Sequence, residues 1–291
     1  MAIAEIVRML EQAGLGAYKQ AIARWIYPTA YLNLQPAHDS SIPVGSSKVG
    51  GRPDLPEDVE WPTWKDYEMT FIAQINLAEC PRDLSLPESG LLSFFYAVEP
   101  MFDDEDFNGD PNTCRVLYFE AERLDQISRR NIPVSLKEAS TMKSNRISFE
   151  SSLSVPDSES AFLESLDLGW SGNREHFDQY WEVFLPEFER AWGKDGYMNR
   201  LMGHPDQIQG DMQVGCEIAR GAYGWDDMAN SEKRKQIVNS AVKWRLLLQI
   251  DSEEDKTGMM WGDVGRIYFW IHEDDLAALR FDRVVCEMQC T

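Results

Sequence analysis

The chain has 291 residues, 43% hydrophobic and 11% aromatic with ten Trp, enough apolar material for a sizeable core and enough to exclude disorder over most of its length. Forty-nine Asp and Glu against 28 Lys and Arg give a net charge of −21, which disfavours nucleic acid and anionic membranes as partners and favours a cationic one. The five cysteines (Cys80, Cys114, Cys216, Cys286, Cys290) are widely spaced with no Cys-x-x-Cys, and no stretch of about 18 apolar residues occurs. A cytoplasmic protein without a disulfide framework, signal peptide or membrane span is the expectation.

In chain order, Ile3, Ile6, Val7 and Leu10, then Gly14 and Gly16, then Tyr18, Ile22, Trp25 and Ile26 predict an N-terminal helical hairpin over 1–28. Tyr31, Leu32 and Leu34 suggest a short strand, and the Pro-, Gly- and Asp-rich residues 35–66 read as loop. Apolar aromatic runs predict buried strands at 71–77 and 90–98, with further strands at 113–120, 134–141 and 146–155; the last two read as an antiparallel pair with one wet face. Phe177, Tyr180, Trp181, Phe184, Leu185, Phe188 and Trp192 follow helical spacing, so 174–192 reads as an aromatic-faced helix kinked or restarted at Pro186. Helices at 212–222 and 232–243 precede strands at 245–251 and after Gly265, a short helix at 274–279 and a last strand through Phe281, Val284 and Cys286.

One signature occurs twice. Gly51, Pro53 and Asp54, then Gln74, Ile75 and Asn76, then Gly90, Leu92, Phe94 and Phe95 return as Gly203, Pro205 and Asp206, then Gln249, Ile250 and Asp251, then Gly265, Ile267, Phe269 and Trp270. Gln74 to Gly90 and Gln249 to Gly265 span the same number of residues. The order of strands, helices, then strands points to an α+β fold. It predicts one domain over 1–291: duplicated, mainly antiparallel sheet halves at 29–157 and 158–291, covering helices and the N-terminal hairpin.

The motifs Ser47-Lys48-Val49-Gly50-Gly51-Arg52-Pro53, Phe71-Ile72-Ala73-Gln74-Ile75-Asn76-Leu77, Leu201-Met202-Gly203-His204-Pro205, Leu246-Leu247-Leu248-Gln249-Ile250-Asp251-Ser252 and Met260-Trp261-Gly262-Asp263, with Trp61-Pro62 and the Leu86-Pro87 to Phe95 stretch, resemble the YwqG family. That bacterial family has no characterised function. The resemblance runs from about residue 45 to the carboxyl terminus and implies a mixed α/β fold built on sheets, with no reaction or cofactor to carry across. It also implies a candidate immunity role, since some members are thought to sit beside toxin genes.

Asp104, Asp106, Asn108, Gly109 and Asp110 alternate as a calcium loop does, but Arg115 stands where the bidentate Glu of an EF-hand belongs. The stretch therefore reads as an acidic hairpin tip, and Asp103, Asp104, Glu105, Asp106 and Asp110 are the expected contacts for a cationic partner. Gln74 and Gln249, polar inside apolar strands, must find partners either in neighbouring loop backbone or in a ligand; Trp261 and Asp263, on a tight turn, complete the candidate ligand-binding set. The Ser46–Arg52 loop lacks P-loop spacing, no two of His38, His176, His204 and His272 are spaced for zinc, and no nucleophile elbow occurs. His204 stands where the first copy has Arg52, so an imidazole is not expected to be needed there. The expectation is a non-enzymatic binding protein with neither cofactor nor metal, of the immunity kind. Alternatives are a ligand binder or enzyme with a pocket between the halves, and a calcium-stabilised module.

Overall fold

A computed structural model describes residues 2–101, 104, 107, 110–169, 172–193 and 198–291. The strands are β1 (Tyr27–Pro36), β2 (Lys48–Val49), β3 (Asp54–Pro56), β4 (Thr63–Trp64), β5 (Tyr67–Glu68), β6 (Thr70–Asn76), β7 (Leu91–Tyr96), β8 (Cys114–Phe119), β9 (Ile127–Arg129), β10 (Asn145–Ser154), β11 (Arg200–Leu201), β12 (Trp244–Asp251), β13 (Arg266–His272) and β14 (Val285–Gln289). Ten of them form one antiparallel sheet in the order β14-β13-β12-β11-β1-β10-β2-β6-β7-β8. The fold is therefore mixed helix and sheet.

The sheet curls until its ends nearly meet. Phe94 on β7 and Phe269 on β13 lie ring to ring at 5.2 Å, and Cys114 at the start of β8 reaches the Val284 carbonyl at 3.4 Å. The concave side collects Ala73, Ile75, Phe94, Ile250, Ile267, Phe269 and Ile271 in one core cluster. On β13 the alternate residues Tyr268 and Trp270 turn the other way, into a second cluster with Met212 and Cys216, as the two-residue period of a strand requires.

The helices are α1 (Ile3–Gln12), α2 (Lys19–Ala23), α3 (Ala161–Glu164), α4 (Arg174–Asp178), α5 (Leu185–Trp192), α6 (Gln213–Ala219), α7 (Ser231–Ala241), α8 (Glu254–Thr257) and α9 (Glu273–Ala277). Helices α1 and α2 pack with Phe162, Tyr180, Phe184 and Phe188 into a third cluster. The aromatic-faced stretch is one helical course, but between α4 and α5 residues Gln179–Phe184 widen into π-helical turns. Of the kink or restart expected at Pro186, the structure shows the restart: α5 begins at Leu185 with Pro186 in its first turn, where a missing N–H costs no intrahelical bond.

Two sequence expectations fail. Residues 134–141 are not a strand: Val134 is fully exposed, and β10 pairs instead with β1 along its whole length, from Tyr27↔Ser154 to Pro36↔Asn145. The short strand expected around Tyr31 is this ten-residue β1 at the middle of the sheet.

On either side of the β1–β10 pair, the strand sets β2-β6-β7-β8 and β11-β12-β13-β14 make matching contacts. Gln74 Oε1 accepts the Asp54 N–H at 2.9 Å and Nε2 donates to the Ser46 carbonyl at 2.8 Å; Gln249 Oε1 accepts the Asp206 N–H at 2.9 Å and Nε2 donates to the Met198 carbonyl. Lys48 donates to the Arg52 carbonyl as Arg200 does to that of His204. A register shift falls between Phe71 and Ala73 on β6 and between Leu246 and Leu248 on β12, just ahead of each glutamine.

Candidate functional site

Where the sheet fails to close, a cleft remains. Strand β8 touches the approach to β14 through Tyr118 on Phe281 at 5.2 Å and Cys114 on the Val284 carbonyl, but no strand pairs with the outer edge of β14 among the described residues. A cleft of about 780 Å³ opens along that edge. Val285, Cys286, Glu287 and Met288 all line it. Since successive strand side chains point to opposite faces, four consecutive residues can border one cavity only if it runs along the backbone edge.

Two walls flank the edge. Gly215, Ile218 and Ala219 of α6, with the exposed indole of Trp225, stand on the side of Val285 and Glu287; Met101, Phe107 and Asp110 of the β7–β8 connection form the opposite wall. Apolar side chains and polar groups thus share the lining of the cleft in comparable measure.

Glu287 is the electrostatic anomaly. Its carboxylate has no hydrogen bond or ion pair among the described residues, and burial, helped by Asp211, pushes its pKa up to about 7. Asp211, itself raised to about 6 by burial, accepts N–H groups of Ala161, Gln213 and Val214 and is fully engaged. Asp110 has its pKa lowered: burial opposes this, but hydrogen bonds from the Asn112 backbone and the Trp64 indole prevail, the latter at 2.9 Å. The cleft thus holds one committed anion and one carboxyl lacking a counter-charge.

Of the residues expected to contact a partner, Asp110 lines the cleft and Asp104 accepts from Lys65 Nζ at 2.9 Å, while Asp103, Glu105 and Asp106 lie outside the described residues. The four expected ligand-binding residues do not border the cleft. Gln74 and Gln249 are fully buried, with donors and acceptors spent on the loops named above. Trp261 is also fully buried, edge-on to Tyr96 at 6.2 Å, and Asp263 is exposed, its backbone carbonyl accepting from Thr291.

Elsewhere the titratable groups serve structure. His204 does use its imidazole: it is buried, stacked on Tyr27 at 4.9 Å, and its Nε2–H donates to the Trp25 carbonyl. Burial pushes its pKa down to about 3, so it is neutral and no stand-in for the cationic Arg52. Burial pushes the Cys80 and Cys114 thiols up to about 12, far from nucleophilic use. Among the described residues no three His, Cys, Asp or Glu side chains could hold a metal ion together, and no helix is long and apolar enough to cross a membrane.

The family model described as a domain of unknown function, DUF1963, matches residues 47–290. The chain belongs to this family. No curated protein matches it. The DUF1963 match begins just before β2 and ends just after β14, so both the strand edge and the two loop-closing glutamines fall inside it, whereas α1, α2 and β1 precede it.

Sequence reasoning missed Glu287 and Trp225. The available signal was Glu287 itself, an acid set between Val285, Cys286 and Met288 in an otherwise apolar last strand. Such a residue, when no cation neighbours it in sequence, marks a burial cost that something must offset.

Proposed function

We propose that this DUF1963 protein is a non-enzymatic, YwqG-like binding protein that engages a cationic protein partner at the seam of its sheet, in the manner of an immunity protein acting on a basic toxin in the cytoplasm. The carrying observation is Glu287: a carboxyl with no hydrogen bond or ion pair among the described residues, in a 780 Å³ cleft also bordered by Asp110. A lysine or arginine supplied from outside offsets its desolvation, and a net charge of −21 steers such a partner in. The loop carrying Asp104 and Asp110 forms the rim of this contact. We read the two glutamine-closed strand sets as copies of one duplicated unit that hold the seam in shape, within a single domain capped by an N-terminal hairpin.

Gel filtration at low salt of the protein mixed with basic products of flanking genes tests this reading. A complex that dissociates as salt rises, and that Glu287→Lys weakens, is the expected result. Absence of any complex, or one indifferent to both Glu287→Lys and Asp110→Lys, rejects it.

A further inference from the structure

The free edge of β14 says more about the partner than its charge does. In the ladder, Arg266↔Gln289 through Trp270↔Val285 pair β14 with β13 on one side, and no backbone hydrogen bond is made from the other side of β14 among the described residues. Edges of this kind are ordinarily covered, twisted away or charged. Here the edge is lined by a cleft with α6 and Trp225 on one side and Met101 and Phe107 on the other, so the open edge is walled on both faces.

We infer that the cleft receives an extended segment of the cationic partner as an additional strand on β14, with basic and apolar side chains alternating along it. The inference rests on the binding reading above and specifies its mode. Main-chain hydrogen bonds to Val285–Gln289, five residues or about 17 Å at ~3.4 Å per residue, supply the register-independent part of the affinity. The residue opposite Glu287 must point to the same face as Glu287, toward α6 and Trp225, because paired residues on adjacent strands share a face. A lysine or arginine there meets both the unpaired carboxylate and an indole able to hold a cation over its ring. Its two neighbours point the other way, toward Phe107 and Met288, and are apolar.

A second copy of this chain suits the edge poorly. Two bodies each carrying −21 repel one another, and a second β14 would supply a Glu, rather than a cation, to the cleft.

The experiment selects binders to the full-length protein from a displayed library of eight-residue peptides, then follows amide hydrogen exchange of the protein with and without the best synthetic peptide. Selected peptides are expected to alternate Lys or Arg with apolar residues, and to slow exchange in 285–289 at least tenfold. N-methylation of alternate peptide amides should cost at least tenfold in affinity, and Ala219→Arg, which places bulk and charge in the cleft, should cost as much when binding is measured at a temperature where the variant is shown by circular dichroism to be folded. Peptides or a whole partner that bind without protecting 285–289, or that bind equally well when N-methylated, overturn strand addition yet leave the binding reading intact. Failure of any peptide to bind while a flanking gene product does so has the same meaning. Concentration-dependent protection of 285–289 in the protein alone, with dimers in sedimentation, would make a second copy the occupant and overturn the proposal.

Discussion

Gln74 and Gln249 close equivalent loops: the side-chain oxygen of each accepts a backbone N–H at 2.9 Å, from Asp54 and Asp206 respectively. In each case the amide nitrogen is spent on a second carbonyl, of Ser46 or Met198. One side chain thereby satisfies two main-chain groups, at Asp54 and Ser46 or at Asp206 and Met198.

Replacing either glutamine with leucine keeps the bulk but strips those partners. Buried donors and acceptors left unpaired cost about 1 to 3 kcal/mol each, so Gln74→Leu and Gln249→Leu should each lose roughly 2 to 4 kcal/mol. Urea unfolding midpoints measure this. Because the two sites share no contact, the double variant should be additive, and midpoints within scatter of the native protein would show that the loops are held by other means.

The loop between β2 and β3 depends on Gly50 in a second way. Its φ is +69°, which penalises a side chain, and a Cβ there would lie 2.2 Å from the Lys143 carbonyl oxygen, which leaves no space for one. The corresponding position in the other strand set is Met202, also left-handed at +58°, with its side chain buried in the core. Gly50→Ala should therefore cost more than about 2 kcal/mol, combining the left-handed penalty with a displaced backbone. Thermal unfolding of this variant near the native midpoint would mean that the Lys143 segment gives way freely.

Those glutamines and glycines were legible in the sequence because their spacing repeats and because an amide inside an apolar strand demands partners. The apolar runs of β6, β7, β12 and β13 were legible for the same kind of reason: burial on both faces leaves a continuous hydrophobic signal. The central pairing of β1 with β10 was not. Its polar residues, Ser148, Ser151 and Ser152 against Asn33, Ala30 and Thr29, look like loop chemistry until the long-range partner is known. The strand expected at 134–141 failed because alternation of Ile132, Val134 and Leu136 is local, whereas a strand exists only if some neighbour takes up its ladder. The seam cleft was illegible for a further reason: Asp110 and Glu287 come together only through closure of the whole sheet.

His204 sets an acid limit on the fold. Its imidazole is neutral in the folded state, with its pKa near 3 against 6.5 for the free side chain, so the unfolded chain binds the extra proton throughout that interval. Stability is therefore lost as pH falls from about 6.5 toward 3, by up to roughly 5 kcal/mol from this group. His204→Gln should remove this contribution, so the stability difference between native protein and variant should itself shift toward the variant as pH falls from 6.5, and denaturant titrations of both at a series of pH values read it. A slope unchanged in the variant would assign acid unfolding to other groups.

Glu287 opposes that slope. Its folded pKa of about 7 exceeds the usual 4.5, so here the folded state holds the extra proton, and stability falls as pH rises through the interval from 4.5 to 7. The difference amounts to on the order of 3 kcal/mol above pH 7. Between about 4.5 and 6.5 the contribution of His204 opposes those of Glu287 and Asp211, the latter also raised to about 6, so the native slope there is the net of the three. Glu287→Gln, which keeps the shape and removes the titration, should gain stability at pH 8 and remove its share of that net slope. Binding gives the complementary reading. A cation is held by the ionised carboxylate, so affinity for a basic partner should rise from pH 6 to pH 8 and then level off, with proton release on binding near pH 7. Calorimetry in buffers of different ionisation enthalpy measures that release. Glu287→Gln should abolish both the release and the pH dependence, and a native protein that binds its partner equally at pH 6 and pH 8 would remove Glu287 from the contact.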